Sequence, residues 1–249
     1  MARAKYNDIY LELREKIEQQ EYGFKGLLPS ENTLIQQYSC SRNTVRRAIG
    51  MLADEGYVQS IHGKGVQIIY QPGPASEFML SGIESMKEAA ARNQKPYATR
   101  VVCFTELTVD ARIKARTGFP EGEAIYYIQR VRYIGGEALI IDHNYFLKRV
   151  AKGLTKEIAE RSIYEYLEQE RGESIVTTKR RVTVERVTQI DEKYLELGDY
   201  NCLAVVSSMT YNAEGIMFEF TQSRHRPDRF VFYDQAHRVK REQQGWNMG

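Results

Sequence analysis

The sequence is poor in cysteine, proline and tryptophan, and it has no long apolar run. Its 249 residues include 3 cysteines, 6 prolines and 1 tryptophan. Cys40, Cys103 and Cys202 are odd in number and widely scattered, so they fit neither a disulfide framework nor a zinc site. No apolar stretch approaches the roughly 18 residues of a membrane span, and no signal peptide is visible at the N-terminus. These absences predict a reduced, cytoplasmic protein that does not insert into a membrane.

A large net charge is also missing. Lys and Arg number 35 against 33 Asp and Glu, which gives a formal net charge of +2. A uniformly basic surface for nucleic acid is therefore excluded, and any basic site must be local. The 42% of hydrophobic and 27% of charged residues are typical of a globular protein, and the length suits one large domain or two smaller ones.

Residues 71–77 contain two prolines and a glycine and interrupt the pattern of the chain. Proline lacks an amide donor and restricts the residue before it, so neither a helix nor a strand runs easily through this segment. The sequence therefore predicts a first domain over residues 1–70, a linker over 71–78, a larger domain over 79–238 and a tail over 239–249.

The first domain has the pattern of a winged helix-turn-helix. Apolar residues three and four apart predict a first helix, and Ser30 and Ser41 each stand where a serine caps the start of a further helix. Two short strands, predicted over residues 57–60 and 66–69, flank a glycine-rich turn at 61–65. Three helices followed by a two-stranded ribbon are the elements of this DNA-binding motif.

The third predicted helix carries polar and basic residues opposite its apolar stripe. Its N-terminal end is the end that enters a major groove, where arginine can donate two hydrogen bonds to guanine and hydroxyls suit phosphates. A helical hairpin with a solvated basic face is the alternative, but the added basic wing favours binding to double-stranded DNA. The predicted DNA-binding residues are Ser30, Asn32, Ser41, Arg42, Asn43, Thr44, Arg46, Arg47, His62, Gly63 and Lys64.

The larger domain alternates predicted strands with predicted helices. Strands are expected over residues 99–106, 124–134, 139–146, 182–187, 203–211 and 216–225, and helices over 84–92 and 162–171. This pattern favours an α+β domain in which helices cover one side of an antiparallel sheet.

Three features of the larger domain indicate a site for a small anionic ligand. Arg130 and Arg132 are two residues apart on a predicted strand, so both project from one face and suit a phosphate or carboxylate. Ser85 lies at a predicted helix start, where free amides favour an anion. Asp142 and Glu219 lie within apolar stretches, where a carboxylate must be partnered or functional. A solvated sheet face and an ordinary capped helix are the alternatives for the arginines and the serine.

The sequence leaves the register of the two central strands open. A two-residue turn at residues 135–136 would pair Arg130 with Ile141. Asp142 would then project from the opposite face of the sheet. A three-residue loop that includes Glu137 would instead pair Arg130 with Asp142 on one face, with a bulge. Only the second register builds a site there.

Three short motifs occur in order within the first domain. They are Leu-Pro-Ser-Glu at 28–31, Ser-Arg-Asn-Thr-Val-Arg-Arg-Ala at 41–48 and Gly-Lys-Gly at 63–65. Together they resemble the DNA-binding domain of the GntR family of bacterial transcription regulators. The residues that this resemblance implies in contact with DNA are Arg42, Thr44, Arg46, His62 and Gly63. The residue after Pro-Ser-Glu is often arginine or histidine in this family, and it is Asn32 here.

The larger domain carries further motifs. They lie at residues 130–132 (Arg-x-Arg), 142–146, 162–164, 218–220 and 226–230. These resemble the effector-binding UTRA domain of the HutC branch of the GntR family, whose fold is like that of chorismate lyase. Residues 154–158, 162–166 and 223–226 carry the resemblance further, to the trehalose-sensing regulators of this branch. It implies a homodimeric repressor of a trehalose-utilisation operon, relieved by a sugar phosphate such as trehalose 6-phosphate, and it implies no cofactor.

The same resemblance implies a role for each polar residue of the ligand site. The groups that would hold the phosphate are Ser85, the backbone amides of Met86 and Lys87, Arg130, Arg132 and Ser162. The residues that would face the sugar hydroxyls are Asp142, Tyr164, Glu219 and His225. Related sugar-phosphate sensors often have tyrosine at the position of His225. Another effector, such as glucosamine 6-phosphate, is therefore the alternative within this class.

A lyase-like fold also raises the alternative of an enzyme, because fold does not fix function. The sequence offers no nucleophile–base pair, no cluster of metal ligands and no phosphate loop of the nucleotide-hydrolysing kind. Fusion to a winged helix also favours sensing over turnover. The sequence therefore predicts a transcription repressor that responds to a sugar phosphate and has neither catalytic residues nor a metal site.

Overall fold

The structure is a computed structural model and describes residues 5–71, 83, 87–88 and 96–231. The chain folds into two compact units, of which the first contains residues 5–71 and the second contains the described residues from 83 onward. Most of the predicted linker at 71–78 and of the predicted helix at 84–92 lies outside the described residues, as does the tail at 239–249. No helix in the described part is long and apolar enough to cross a membrane.

Three helices and a two-stranded ribbon form the first unit, as the sequence predicts. Its elements are α1 (Lys5–Glu18), α2 (Glu31–Tyr38), α3 (Arg42–Asp54), β1 (Val58–Ile61) and β2 (Gly65–Ile68). The two strands pair antiparallel, and residues 62–64 form the tip between them. This is a winged helix-turn-helix.

Serine side chains begin α2 and α3. Ser30 Oγ accepts a hydrogen bond from the Thr33 amide at 3.2 Å, and Ser41 Oγ accepts one from the Thr44 amide at 3.2 Å. Both predicted N-caps are therefore present. Between the two helices, Ser39 adopts a φ of 45°, a left-handed conformation that reverses the chain after α2.

One apolar core fixes the orientation of α3. Val45, Ala48, Ile49 and Leu52 line its buried face and cluster with the buried stripe of α1. The side chains on the other face of α3 are consequently exposed. The sequence predicts this division, because the apolar residues of α3 occupy a single arc.

Six strands form one antiparallel sheet in the second unit, and helices pack against it. The elements are β3 (Tyr97–Thr108), α4 (Ala111–Thr117), β4 (Ala124–Ile134), β5 (Glu137–Leu147), α5 (Lys156–Arg161), α6 (Ile163–Glu165), a π-helical turn (Tyr166–Glu170), β6 (Ile175–Arg186), α7 (Gln189–Tyr194), β7 (Cys202–Asn212), β8 (Met217–His225) and a 3₁₀ turn (Pro227–Arg229). The strand order is β3-β4-β5-β8-β7-β6. The predicted α+β class and antiparallel sheet are confirmed.

Some expectations for the second unit are wrong in detail. Strand β6 begins at Ile175 rather than at 182, because it is an edge strand whose many polar residues hide the pattern of burial. The helix predicted over 162–171 is divided into α6 and the π-helical turn. Three further helices, α4, α5 and α7, have only six or seven residues each and were not predicted.

Helices contact both faces of the sheet, so the expectation of helices on one side is also wrong. Glu219 and Arg224 project from opposite faces of β8, because side chains alternate along a strand. Tyr164 of α6 donates a hydrogen bond to Glu219 at 2.6 Å. On the other face, Arg224 Nε donates to Asp191 of α7 at 2.9 Å.

A bulge decides the register of β4 and β5. Residues 135–136 form a two-residue turn, since Ile134 pairs with Glu137. Beyond this turn the register shifts at Leu139, and Arg130 pairs with Asp142. The structure thus combines the turn of one predicted alternative with the pairing of the other. The carbonyl of Leu139 is satisfied by the amide of Arg226 at 3.0 Å, so the bulge leaves this backbone group paired.

Candidate functional site

The N-terminal ends of α2 and α3 bring predicted DNA-binding residues together. Arg46 Nε donates to both carboxylate oxygens of Glu31, at 3.0 and 3.1 Å. Arg42 Nη2 donates to Asn32 Oδ1 at 3.1 Å. About 60% of each arginine side chain is exposed, so both guanidinium groups are accessible to a ligand as large as a DNA duplex.

Other predicted DNA-binding residues also make contacts within the first unit. The hydroxyls of Ser41 and Thr44 are 2.8 Å apart. The guanidinium of Arg47 lies 3.8 Å from the centre of the Tyr6 ring, which is a cation–π contact between α3 and α1. The role of these residues in DNA contact stays a prediction.

The ribbon tip is small and exposed. His62, Gly63 and Lys64 are all exposed, and the Lys64 amide donates to the Ile61 carbonyl at 3.0 Å to close the turn. Gly63 has a φ of 73°, a conformation that favours glycine. Contact of this tip with DNA stays a prediction.

Arg130, Arg132 and Asp142 form a buried cluster in the second unit. They expose 7%, 6% and 5% of their surface. Asp142 Oδ2 accepts from Arg132 Nε at 2.8 Å and lies 3.7 Å from Arg130 Nη2. Ser223 Oγ donates to Asp142 Oδ1 at 2.7 Å. Two buried guanidinium groups therefore share one carboxylate.

The two guanidinium groups retain nitrogens that no other described residue bonds. Arg130 uses Nε to donate to Asn144 Oδ1 at 2.8 Å, and Arg132 uses Nη1 to donate to Thr99 Oγ1 at 2.6 Å. Within the described part of the chain, three nitrogens make no hydrogen bond. They are Nη1 and Nη2 of Arg130 and Nη2 of Arg132. These three nitrogens on adjacent guanidinium groups are suited to the oxygens of a phosphate.

The electrostatics of this cluster also favour an anion. Burial and the charge of Arg132 lower the pKa of Arg130 to about 9, although Asp142 and Glu219 oppose the shift. Burial would raise the pKa of Asp142, but Arg132, Arg130 and the hydroxyl of Ser223 together lower it to about 2. Both groups are thus charged at neutral pH. Because the protein compensates the charge of Arg130 incompletely, a bound anion would stabilise it.

A chain of hydrogen bonds leads from Arg130 across the same face of the sheet. Asn144 Nδ2 donates to Thr221 Oγ1 at 2.7 Å, and Thr221 Oγ1 donates to Glu219 Oε1 at 2.7 Å. Tyr164 OH donates to the other carboxylate oxygen of Glu219 at 2.6 Å. Burial and the charge of Glu219 raise the pKa of Tyr164, so the phenol keeps its proton. The structure brings Tyr164 and Glu219 to the face that carries the arginines.

His225 lies on this face as a neutral group. By strand alternation it projects from the same side of β8 as Ser223, and its ring centre is 5.0 Å from that of Phe230. Burial lowers the pKa of His225 to about 4, against the opposing charge of Asp142. A neutral imidazole can both donate and accept a hydrogen bond, which suits a sugar hydroxyl.

The helix start at residues 85–87, predicted to hold the phosphate, is described only in part. Ser85 and Met86 lie outside the described residues. Lys87 Nζ bonds Glu165 Oε1 and Oε2 at 2.9 and 2.8 Å, and the Glu165 amide donates to Ser162 Oγ at 3.3 Å. The side chain of Lys87 therefore reaches Glu165, the last residue of α6, whose N-cap is Ser162. Among the residues that the structure describes, no group of acidic, histidine or cysteine side chains could hold a metal ion.

Sequence reasoning missed four polar partners of this cluster. They are Thr99, Asn144, Thr221 and Ser223, each of which bonds a predicted site residue. The signal that could have identified them is a polar residue at every second position of a strand. Residues 219, 221, 223 and 225 are all polar and alternate with others along one strand, and 142 and 144 do the same on β5.

The lowered pKa of His225 predicts how the stability of the protein changes at low pH. His225 has a pKa of about 4 in the folded protein against 6.5 ordinarily. Between these values the unfolded chain binds a proton that the folded protein excludes, so the free energy of unfolding falls as the pH falls. His225→Gln removes this contribution, which is roughly 1 kcal/mol per pH unit. Urea unfolding of parent and variant from pH 7.5 to 4.5, without ligand, measures it. Equal slopes would contradict the assignment.

Two family models match the chain, one on each unit. The model described as bacterial regulatory proteins of the gntR family matches residues 5–68. The UTRA domain model matches residues 92–231. The two matches together account for most of the described residues.

Similar proteins match over nearly the whole length. The HTH-type transcriptional regulator TreR of Bacillus subtilis (strain 168) is 37% identical over 236 residues, which are 95% of this chain and 98% of that protein. The HTH-type transcriptional repressor NagR of the same organism is 25% identical over 227 residues, or 91% and 92% of the two chains.

Solved structures show the same architecture. The effector-binding domain of the B. subtilis trehalose repressor (TreR) is 36% identical and covers 57% of this chain and 99% of its own, with a TM-score of 0.52. The possible transcriptional regulator YydK of B. subtilis covers 94% of this chain and 100% of its own with a TM-score of 0.78. At 21% identity, the second likeness concerns the fold alone.

Proposed function

We propose that this chain represses a trehalose-utilisation operon and is released from its operator by trehalose 6-phosphate. The premise is that the chain belongs to the GntR family of bacterial regulators and is a transcription regulator of the TreR type rather than an enzyme. The observation that carries the proposal is the buried arginine pair. Arg130 and Arg132 present nitrogens that make no hydrogen bond to the described residues, on a face that also holds polar groups suited to a sugar. The 37% identity to TreR supports the choice of sugar.

The ligand face divides into a phosphate end and a sugar end. Arg130 and Arg132 would bind the phosphate with charge-assisted hydrogen bonds, which are the stronger kind. Glu219 and His225 would bind hydroxyls, since a carboxylate accepts and a neutral imidazole does either. Charge on the ligand therefore sets affinity, and the arrangement of hydroxyls sets selectivity.

Allosteric release follows from differential affinity. In a dimer, two copies of α3 would enter successive major grooves, about 34 Å apart on a palindromic operator. The ligand would bind more tightly to an arrangement in which the two helices no longer match that spacing. The coupling equals the difference in ligand affinity between the two arrangements, and it is typically about 1–3 kcal/mol.

Edge strand β6 supports the proposed homodimer. One side of β6 pairs with β7, and among the described residues no strand pairs with its other side. Val182 and Val184 on this strand are 41% and 74% exposed. An exposed edge with apolar side chains favours pairing with a second copy of the chain.

Val184→Lys is therefore expected to convert the dimer to a monomer, because burying an ammonium in a strand–strand interface is costly. Sedimentation velocity at micromolar concentration measures the change. Thr108→Lys, on the opposite edge strand β3, is the matched control and should leave the parent's association state unchanged. A dimeric Val184→Lys variant would place the interface elsewhere.

Calorimetric titration tests the function as a whole. Purified protein is titrated with trehalose 6-phosphate, trehalose and glucosamine 6-phosphate, and operator release is followed in parallel by fluorescence anisotropy. We expect selective binding of trehalose 6-phosphate and release of DNA by it alone. Preferential binding of glucosamine 6-phosphate would overturn the trehalose assignment and keep a sugar-phosphate sensor. Equal binding of trehalose would overturn the phosphate site.

A further inference from the structure

The contact between α2 and α3 involves particular nitrogens of two arginines. Glu31 is the first residue of α2, and both of its carboxylate oxygens accept from the same nitrogen, Arg46 Nε. The carboxylate also lies 3.9 Å from Arg42 Nε. Asn32, the next residue, accepts from Arg42 Nη2 at 3.1 Å. The first two residues of α2 thus hold both arginines from one side.

This geometry leaves the base-recognising edge of Arg46 available. Arginine recognises guanine with two parallel donors directed at O6 and N7. Among the described residues, no hydrogen bond involves either terminal nitrogen of Arg46. Glu31 therefore holds the guanidinium at Nε and leaves its outer edge free. On Arg42, by the same criterion, Nη1 stays free.

Holding the side chain has an energetic consequence for DNA binding. An exposed arginine has several rotatable bonds, and ordering it on binding costs conformational entropy. A guanidinium that is already oriented loses less when it meets a base. The ion pair contributes little to folding, because 60% of the Arg46 side chain and 34% of the Glu31 side chain are exposed. Its main effect would therefore be on recognition.

Electrostatics alone predicts the opposite effect of Glu31. A carboxylate beside the recognition helix repels the phosphate backbone, so its removal should strengthen binding to every duplex. If Glu31 positions Arg46, its removal should instead weaken binding to the specific sequence. The two accounts differ in sign, which makes them separable by experiment.

We infer that Glu31 and Asn32 are positioning residues for base recognition, in which Glu31 orients Arg46 and Asn32 orients Arg42. The inference rests on the proposed operator binding and adds to it a determinant of specificity. It also gives Asn32 a different role from the direct DNA contact predicted from the sequence. Asn32 acts on DNA through Arg42.

The test compares specific with non-specific affinity. The parent protein first selects a duplex from a randomised pool, and affinity for that duplex and for a scrambled duplex is measured by anisotropy at fixed salt. Glu31→Ala is expected to weaken the selected duplex on the order of 10-fold and to leave the scrambled duplex unchanged or bound more tightly. Glu31→Gln, which keeps an acceptor for Nε, should fall between parent and alanine variant.

Matched controls separate the possible outcomes. Glu21→Ala removes an exposed carboxylate three residues after the end of α1 and should leave the ratio of the two affinities unchanged. Tighter binding of both duplexes by Glu31→Ala would overturn the inference for Glu31. Failure of the parent to select any sequence would instead overturn the proposed operator binding. Thermal unfolding of each variant confirms that the fold is retained.

A double-mutant cycle tests Asn32. If Asn32 acts through Arg42, then Asn32→Ala weakens the selected duplex in the parent background and has no further effect in the Arg42→Ala background. If the two losses add, Asn32 contacts DNA by itself, and the inference for this residue is wrong.

Discussion

Replacing Arg46 with alanine is expected to lower affinity for the operator by about two orders of magnitude and to leave effector binding unchanged. One bidentate arginine–guanine contact is worth about 1–3 kcal/mol, and the proposed dimer would make two of them. The variant also leaves the carboxylate of Glu31 without its partner beside the DNA phosphates. The chain folds into two separate compact units, so the ligand face of the second unit should be unaffected.

Arg46→Lys gives the matched control for this prediction. Lysine keeps the charge but cannot donate two parallel hydrogen bonds. We expect it to preserve the affinity for scrambled DNA and its salt dependence while losing most of the preference for the operator. Anisotropy titrations on both duplexes measure the effects, and calorimetry with trehalose 6-phosphate checks the effector site. An alanine variant that keeps full operator affinity would remove Arg46 from the interface.

Replacing Arg130 with glutamine is expected to produce the converse phenotype, a repressor that binds its operator and no longer responds to effector. Hydrogen bonds to charged groups are worth about 1.5–3 kcal/mol each, and Arg130 has two terminal nitrogens for a phosphate. The expected loss of ligand affinity is therefore on the order of 100-fold or more. Glutamine leaves the ion pair of Arg132 with Asp142 in place, at 2.8 Å, so the folded unit should persist.

Arg100→Gln controls for a general loss of positive charge. Arg100 is an exposed residue on β3, next to the strand that carries Arg130. Its replacement should change ligand affinity little. Calorimetric titration with trehalose 6-phosphate, together with urea unfolding, distinguishes lost binding from lost folding. Equal ligand affinity in the Arg130→Gln variant and the parent would show that the anion site lies elsewhere.

Local patterns predicted the first unit because its structure depends on short-range chemistry. Ser30 and Ser41 each precede a stretch of helix-forming residues and cap it. The apolar arc of α3 determines which face of that helix is buried. The ion pair of Glu31 with Arg46 was not predicted. It joins residues fifteen positions apart, and their distance depends on the angle at which α2 and α3 pack.

For the proposed ligand face, the sequence indicated which polar residues to consider but not how they are arranged. Strand alternation places Arg130 beside Arg132, but it does not say whether Asp142 lies opposite them. That depends on a bulge at Leu139, for which the sequence has no marker. The neutral state of His225 was likewise unpredictable, because it arises from burial by distant parts of the chain.

The bulge at Leu139 determines which face of the sheet carries Asp142 in the proposed ligand site. If β4 and β5 paired regularly from the same turn, with no bulge, Arg130 would pair with Ile141 and Asp142 would project from the far side of the sheet. The two guanidinium groups would then have no counterion between them. The face on which Asp142 lies therefore depends on the bulge together with the number of residues between the turn and Asp142. In relatives of this protein, a hairpin with one residue fewer at this point should lack the bulge and keep the same pairing, whereas a hairpin of the same length without the bulge should carry its acidic residue on the other face.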